Sequence, residues 1–489
     1  MNETAPPRAA TAAPLDLSSI RRIVIGVMLA MLLAAIDQTI VATALPTIGN
    51  ELKDLEHLPW VVTAYLLSGT AVTPFYGKLA DIVGRRAVLL VGISIFIVGS
   101  ILCALAPSMW FLIGARFIQG LGGGGLIALG QTIVADVVSP KERMRYQAYF
   151  ASVFATSSIA GPILGGFFAE RLHWSFIFWI NIPLGLLALA MTNSVLKRLP
   201  RHERPHRLDI VGAVLMVAAT VALLLALSWG GGVYAWGSPQ ILGLLALSLV
   251  AWILFVVRLL RAAEPFVPLA VMFNPVVAAG TASNFFVVGT MVALTIYMPI
   301  YFETVIGLTA SQSGLALIAF AGGTVAGAQL AGRIMVWTPR YKRGPLVGLV
   351  VGIAATILLA LTATHLTLLT VELLLLVAGL GIGTIFPVTT VSVQNAVEPH
   401  QLGTATASFN FFRSLGSAIF VAIFGAIFLG GLGLGGTAIG SLDQLVAQAA
   451  ANGTAVAPVF QYVFGTAAAV LVVGFLCFLA MKELPLRGR

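Results

Sequence analysis

Fourteen long apolar stretches run through this chain, at about 22–47, 59–78, 86–106, 109–135, 146–169, 174–196, 210–230, 239–258, 276–301, 311–333, 345–364, 369–393, 404–429 and 459–480. Each reaches or exceeds the roughly 20 residues that cross a bilayer as a helix. Inside hydrocarbon a peptide group finds no water, so a spanning segment must bond its own backbone, as a helix does. Charged residues make up 9% of the 489 positions, against roughly 25% in soluble domains. A soluble enzyme, a disordered chain and a nucleic-acid-binding domain are excluded. The net charge of +9 does not argue for nucleic acid, because the bases sit in short clusters between the apolar runs rather than along one stripe. The expected fold is an all-α polytopic membrane protein with 14 transmembrane helices.

Those clusters orient the chain. With the N-terminus inside, 23 of the 27 Lys and Arg fall on the cytoplasmic side, Lys53 and Arg171 fall outside, and Arg116 and Arg413 lie within spans. This is a strong positive-inside bias, and it places both termini in the cytoplasm. Arg21 and Arg22 lead straight into a full-length apolar run without a small-residue cleavage site, so the first span is expected to be retained. Cys103 and Cys477 fall inside spans and offer neither a disulfide framework nor metal spacing.

The chain also repeats itself. At an offset of 259, Gly120-Leu121-Gly122 falls on Gly379-Leu380-Gly381, Val138-Ser139-Pro140 on Val397-Glu398-Pro399, and Phe150 on Phe409. A parallel repeat of this kind sets two helical halves about an axis along the membrane normal. Six spans within 22–196 are too short to account for that offset, so 197–275 is read as an insertion. The organisation is a cytoplasmic tail (1–21), a six-helix bundle (22–196), a basic loop with two inserted helices (197–275), a second six-helix bundle (276–482) and a short tail (483–489).

Three charges lie deep. Asp37 sits about fifteen residues into the first span, which at roughly 1.5 Å per residue is somewhat beyond the midplane. A carboxylate there costs about 3 kcal/mol or more unless it is paired, hydrated or protonated. Arg116 reaches a similar depth from the opposite chain direction, with Gln119 and Gly123 on its face. Pairing with Arg116 would hold the carboxylate ionised, and separation would favour its protonated form, as a proton-coupled switch requires. The alternative is a purely structural ion pair. Arg413 has no acid at its depth, and either faces a wet central cavity or bonds backbone carbonyls. The run 120–125 matches G-x-G-x-x-G literally, but it lies inside an apolar helix, so helix packing is the reading. The six histidines lie in loops or at span ends, and no nucleophile–base or metal-ligand arrangement is evident. The chain is read as a non-enzyme without metal or cofactor.

Taken together, these segments resemble the major facilitator superfamily, and within it the fourteen-span drug:proton antiporter family. The segment 77–86 is similar to the loop signature G-x-L-A-D-x-x-G-R-[RK], with Ile82 where a base is frequent. Arg116 with Gln119-Gly120 resembles the fourth-span signature, and Ala160-Gly161-Pro162 with Gly165-Gly166 the fifth-span antiporter signature. Asp37-Gln38-Thr39-Ile40-Val41 followed by Ala44-Leu45-Pro46 resembles the first-span signature of the fourteen-span group, though Ala42 replaces its usual Asn. The segment 174–185 resembles the sixth-span signature. The C-terminal counterpart of the loop, at 332–343, keeps bases but no acid.

The resemblance implies proton-coupled efflux of lipophilic, drug-like compounds across the cytoplasmic (inner) membrane by alternating access. The proton gradient drives it, with no cofactor. Asp37 and Arg116 would be the proton-linked pair. Gly77, Asp81, Gly84, Arg85 and Asp136 would form a cytoplasmic latch closing the outward-open state, and Gly161, Pro162 and Gly165 a helix-kink antiporter motif. Gln38, Gln119, Asn181, Asn284, Phe386, Asn410 and Arg413 are candidates for the substrate cavity, with Tyr65, Phe154, Phe285, Phe320 and Phe409 as further aromatic candidates. The partners are a lipophilic small molecule, protons and the lipid bilayer, with no nucleic acid, and the chain is expected to act as a monomer. Export of an anionic or lipidic metabolite is the rival reading suited to Arg116 and Arg413. A transporter-like receptor or a membrane-embedded enzyme is more remote.

Overall fold

Each apolar run forms a helix, and the ends fall where side chains can cap free backbone groups. The computed structural model describes residues 17–54, 57–195, 209–231, 234–262, 265, 269–338, 340–432 and 455–486. The basic segment 197–207, most of the Gly/Ala-rich stretch before the last span, and the extreme ends of both expected tails lie outside the described residues. The helices are α1 (Leu17–Glu51), α2 (Pro59–Val83), α3 (Arg85–Ala104), α4 (Met109–Val137), α5 (Pro140–Arg171) and α6 (Phe176–Ser194). Then come α7 (Ile210–Trp229), α8 (Pro239–Arg261), α9 (Pro275–Ile306) and α10 (Ala310–Trp337). The last four are α11 (Arg343–Thr362), α12 (Leu368–Asn395), α13 (Leu402–Gly431) and α14 (Val456–Ala480).

Among the described residues, twelve of these are long and apolar enough to cross a bilayer, against the 14 spans expected. α2 and α5, of 25 and 32 residues, have the length to cross but are not among those twelve. α5 starts with Lys141, Glu142, Arg143 and Arg145, and α2 carries Lys78 and Asp81 toward its end. Gly84, at φ +101°, makes the sharp break between α2 and α3, a conformation that costs glycine little. The side chains of Ser108, Asn274 and Thr309 accept backbone N–H bonds at the starts of α4, α9 and α10, satisfying donors that a helix leaves free.

The packing is twofold. α1 packs on α5 and α6, α4 on α2 and α3, and α3 on α6. In the second half α9 packs on α13 and α14, α12 on α10 and α11, and α11 on α14. The same glycines allow both sets of approaches. Gly120 and Gly124 of α4 meet the α2 backbone at Tyr65 and Gly69, while Gly122 meets α3 at Phe96. At the offset of 259, Gly379 and Gly383 of α12 meet α10 at Phe320 and Thr324, and Gly381 meets α11 at Gly348. The halves touch where α2 lies on α13 and α5 on α10. α7 and α8 pack together outside both, with Asp209 capping α7 and accepting a 3.0 Å bond from Arg258 of α8. α7 also touches α2 and α13, one helix from each half.

The glycine contacts give a test within a single helix. A Cβ on Gly122 would collide with the Phe96 backbone, whereas one on Gly114 would meet nothing within 4 Å. Gly122→Ala is expected to destabilise the chain by about 1–3 kcal/mol. Gly114→Ala should be neutral or stabilise it by about 0.5–1 kcal/mol. Thermal unfolding of the two purified variants in one detergent, set against wild type, checks both.

Candidate functional site

Among the described residues, the deepest polar cluster is built around Asp37 of α1, which is 0% exposed. Arg116 of α4 donates from Nη1 to Asp37 Oδ2 at 2.6 Å. Gln119, one turn on, donates from Nε2 to Asp37 Oδ1 at 2.8 Å, and Asn181 of α6 donates to the same oxygen at 2.9 Å. The guanidinium is held from other sides too: Nε donates to the Val61 carbonyl of α2 at 3.0 Å, and Nη1 also reaches Gln119 Oε1 at 2.6 Å. The Tyr65 ring lies 4.3 Å from the guanidinium carbon, a cation–π contact. Ser100 of α3 accepts from Gln119 and Asn181. Five helices therefore meet on one ion pair.

The sixth helix of this half reaches the pair through α1. Thr39, two residues after Asp37, donates to the Ser157 carbonyl of α5 at 2.8 Å. Gly161 and Gly165 give α5 its close approach, since a Cβ at either would collide with Thr39 or Thr43 of α1. α5 runs unbroken from Pro140 to Arg171 through position 162; the side chain of Pro162 lies outside the described residues.

Between the halves lies a cavity of about 1230 Å³. Its wall includes Gln38, Asn284, Phe386, Asn410 and Arg413, all expected there, and the aromatic candidates Tyr65, Phe154, Phe320 and Phe409. Arg413 thus lies on the cavity wall, and among the described residues its side chain bonds no backbone carbonyl. Phe285 is not on the wall; its ring packs on Phe420, and its backbone meets Gly416. Gln119 and Asn181, expected on the wall, lie behind it at 0% exposure, because Asp37 engages their amides. Asp37 is also behind the wall, and Arg116 stands between it and the cavity. The inserted α7 contributes Leu224, Leu227 and Ser228, and the following loop contributes Trp236, none of them expected from the sequence. Gln131 was missed as well. It accepts a 2.8 Å bond from Asn410 across the halves, and a second glutamine in the fourth apolar run was the available signal.

Along α2 the cavity wall runs from Val62 to Thr73 and does not reach the end that carries Asp81. There Asp81 of α2 accepts from the backbone N–H groups of Gly403 and Thr404 at 3.1 and 2.7 Å, and from the Thr404 hydroxyl at 2.7 Å. These are the first N–H groups of α13, so a carboxylate from one half caps a helix of the other, where the helix dipole favours negative charge. Arg85 bonds Asp81 and also donates to Asp136 at 3.1 Å. Gly77 lets α13 close in, since a Cβ there would collide with Ala407. Gly84 sets the turn that brings Arg85 over Asp81. The expected latch residues are therefore together, but the partner across the interface is peptide backbone. Among the described residues, no group of three or more His, Cys, Asp or Glu could hold a metal ion.

A family profile described as Major Facilitator Superfamily matches residues 27–421. An uncharacterized MFS-type transporter of Mycobacterium tuberculosis is 36% identical over 99% of this chain and 72% of its own length. The multidrug transporter protein MdtP of Bacillus subtilis is 33% identical, over 87% of this chain and 79% of its own. The crystal structure of the human organic anion transporter MFSD10 (TETRAN) superposes with a TM-score of 0.63, covering 94% of this chain and 99% of that one. At 17% identity that likeness is one of fold.

Removing the carboxylate that caps α13 should loosen this end. Asp81→Ala strips a charged acceptor from four donors, three of them on α13, and is expected to cost this contact between the halves about 2–3 kcal/mol. Ala407 is 0% exposed beside Gly77. A cysteine placed there (Ala407→Cys) should react with a water-soluble maleimide at least tenfold faster in the Asp81→Ala background.

Proposed function

Because this chain belongs to the major facilitator superfamily, we propose that it is a fourteen-helix, proton-coupled exporter of lipophilic compounds in the cytoplasmic membrane. It is a multi-pass membrane transporter rather than an enzyme. The curated relatives named as multidrug transporters support an efflux role. The 23 bases on one side support cytoplasmic termini. In that orientation the Asp81 end is cytoplasmic and closed, and the cavity belongs to an outward-facing state.

The observation that carries the proton reading is the Asp37 cluster. Three side-chain donors reach the carboxylate, and Arg116 stands on the cavity wall beside it. A proton on Asp37 removes its charge, so Arg116 Nη1 loses its anionic partner while the guanidinium keeps Val61 and Gln119. The six helices tied to this pair then re-pack together, because packed bundles shift between discrete arrangements rather than deforming continuously. Protonation from outside favours release and return, and deprotonation inside favours loading. The coupling is one of alternating access between two rocking halves.

Proteoliposomes test this with a neutral lipophilic dye and an imposed pH gradient. Wild type should drive dye against its gradient and stop when an ionophore collapses the pH difference. Asp37→Asn keeps the size and much of the hydrogen bonding of the acid but has no site for the proton. It should lose gradient-driven transport by at least tenfold while still exchanging dye down its gradient. Gradient-driven transport that survives in Asp37→Asn would remove the proton role.

A further inference from the structure

The cavity wall carries two charged residues among those described, Arg116 and Arg413, and no acid. Their situations differ. Arg116 is neutralised by Asp37 at 2.6 Å and held by Val61 and Gln119. Arg413 of α13 has no ion pair and no side-chain hydrogen bond among the described residues; its backbone carbonyl accepts from the Ser417 hydroxyl. An unpaired guanidinium within a membrane is costly unless water or a counter-charge reaches it. The wall itself supplies no counter-charge.

A second group lies at a similar level of the bundle. Asn284 of α9 is 1% exposed and lines the cavity, and neither Nδ2 nor Oδ1 has a partner among the described residues. α9 and α13 pack closely, with Gly416 against Phe285 and Gly289 against Phe420. That register puts Asn284 and Arg413 within about one helical turn of each other along the bundle, roughly 5 Å. Around them the wall is apolar and aromatic, with Val288, Met291, Phe320, Phe386 and Val421. A guanidinium fork and a spare amide donor suit a carboxylate, and Arg makes such contacts in pairs. The apolar wall suits the body that carries it.

We propose that Arg413 and Asn284 form an anion-recognition subsite, and that the preferred cargo is an amphipathic organic acid: an apolar, ring-bearing body with one carboxylate. This deepens the export reading and rests on it, replacing a lipophilic compound of any charge with one that neutralises Arg413. It also assigns the halves different tasks, with the N-terminal half holding the proton site and the C-terminal half the ligand's charge.

Three probes of similar apolar bulk test it: 2-naphthylacetate, its methyl ester, and (2-naphthylmethyl)trimethylammonium. Binding is titrated on the full-length purified chain by intrinsic tryptophan fluorescence, so the wild-type comparison alone is decisive even if a variant folds poorly. The carboxylate should bind at least tenfold more tightly than either other probe. Arg413→Gln should weaken carboxylate binding tenfold or more and leave the ester unchanged, Arg413→Lys should restore part of the preference, and Asn284→Ala should cost about threefold. Equal affinity for the three probes, or a carboxylate preference that survives Arg413→Gln, overturns the subsite. Transport is read separately in proteoliposomes. A carboxylate that binds with this preference but is never moved leaves the subsite standing and removes the export reading. A neutral dye that is pumped, with no advantage to the carboxylate in binding, does the reverse.

Discussion

An arginine and an aspartate facing each other in oil constrain everything else in the N-terminal half. Taking either charge out of water costs several kcal/mol, and their attraction offsets this only when the geometry is good and the remaining donors and acceptors are met. Here Asp37 and Arg116, 0% and 1% exposed, meet those terms through Gln119, Asn181, Ser100, the Val61 carbonyl and the Tyr65 ring. The partners come from α1, α2, α3, α4 and α6, so the pair is affordable only while those helices stay at their present spacing. The small residues of α4 and α5 set that spacing. Glycine here serves the electrostatics: the backbones must come close enough for short polar side chains to reach one carboxylate.

The second half shares the packing without the chemistry. At the repeat offset of 259, Leu375 and Ala378 occupy the positions of Arg116 and Gln119, both 0% exposed. Its interior is aromatic instead, with the Tyr301 ring 5.0 Å from Phe460 and 5.4 Å from Phe464, and the Tyr301 hydroxyl donating to the Ala363 carbonyl at 2.7 Å. Such a core needs no counter-charge and responds little to a proton. Two bundles with one helix plan thus divide into a half with a buried ion pair and a half packed around aromatic rings.

Much of this was legible in the sequence, for a physical reason: charges and long apolar runs obey few exceptions in a membrane. The runs located the helices, and Asp37, Arg116 and Arg413 stood out because each is expensive where it lies. What the sequence could not give was direction. Gln119 and Asn181 read as polar residues in spans, and polarity alone does not say whether an amide turns to the cavity or to a carboxylate behind it. The contribution of α7 was hidden because its cavity-facing Leu224 and Leu227 look like any membrane leucine. α2 and α5 read as spans from their apolar runs, and at 25 and 32 residues their helices have the length to cross.

The contact between the halves at the Asp81 end was legible on one side alone, because its acid follows a pattern while its receptor is the start of α13. A lock whose keyhole is main chain has an unusual tolerance. Almost any amino acid at 404 still presents an amide hydrogen, proline being the exception, and 403 demands only that no side chain crowd the carboxylate. Genetic drift can therefore erase the hydroxyl of Thr404 without abolishing this contact, whereas the single acid opposite has no understudy.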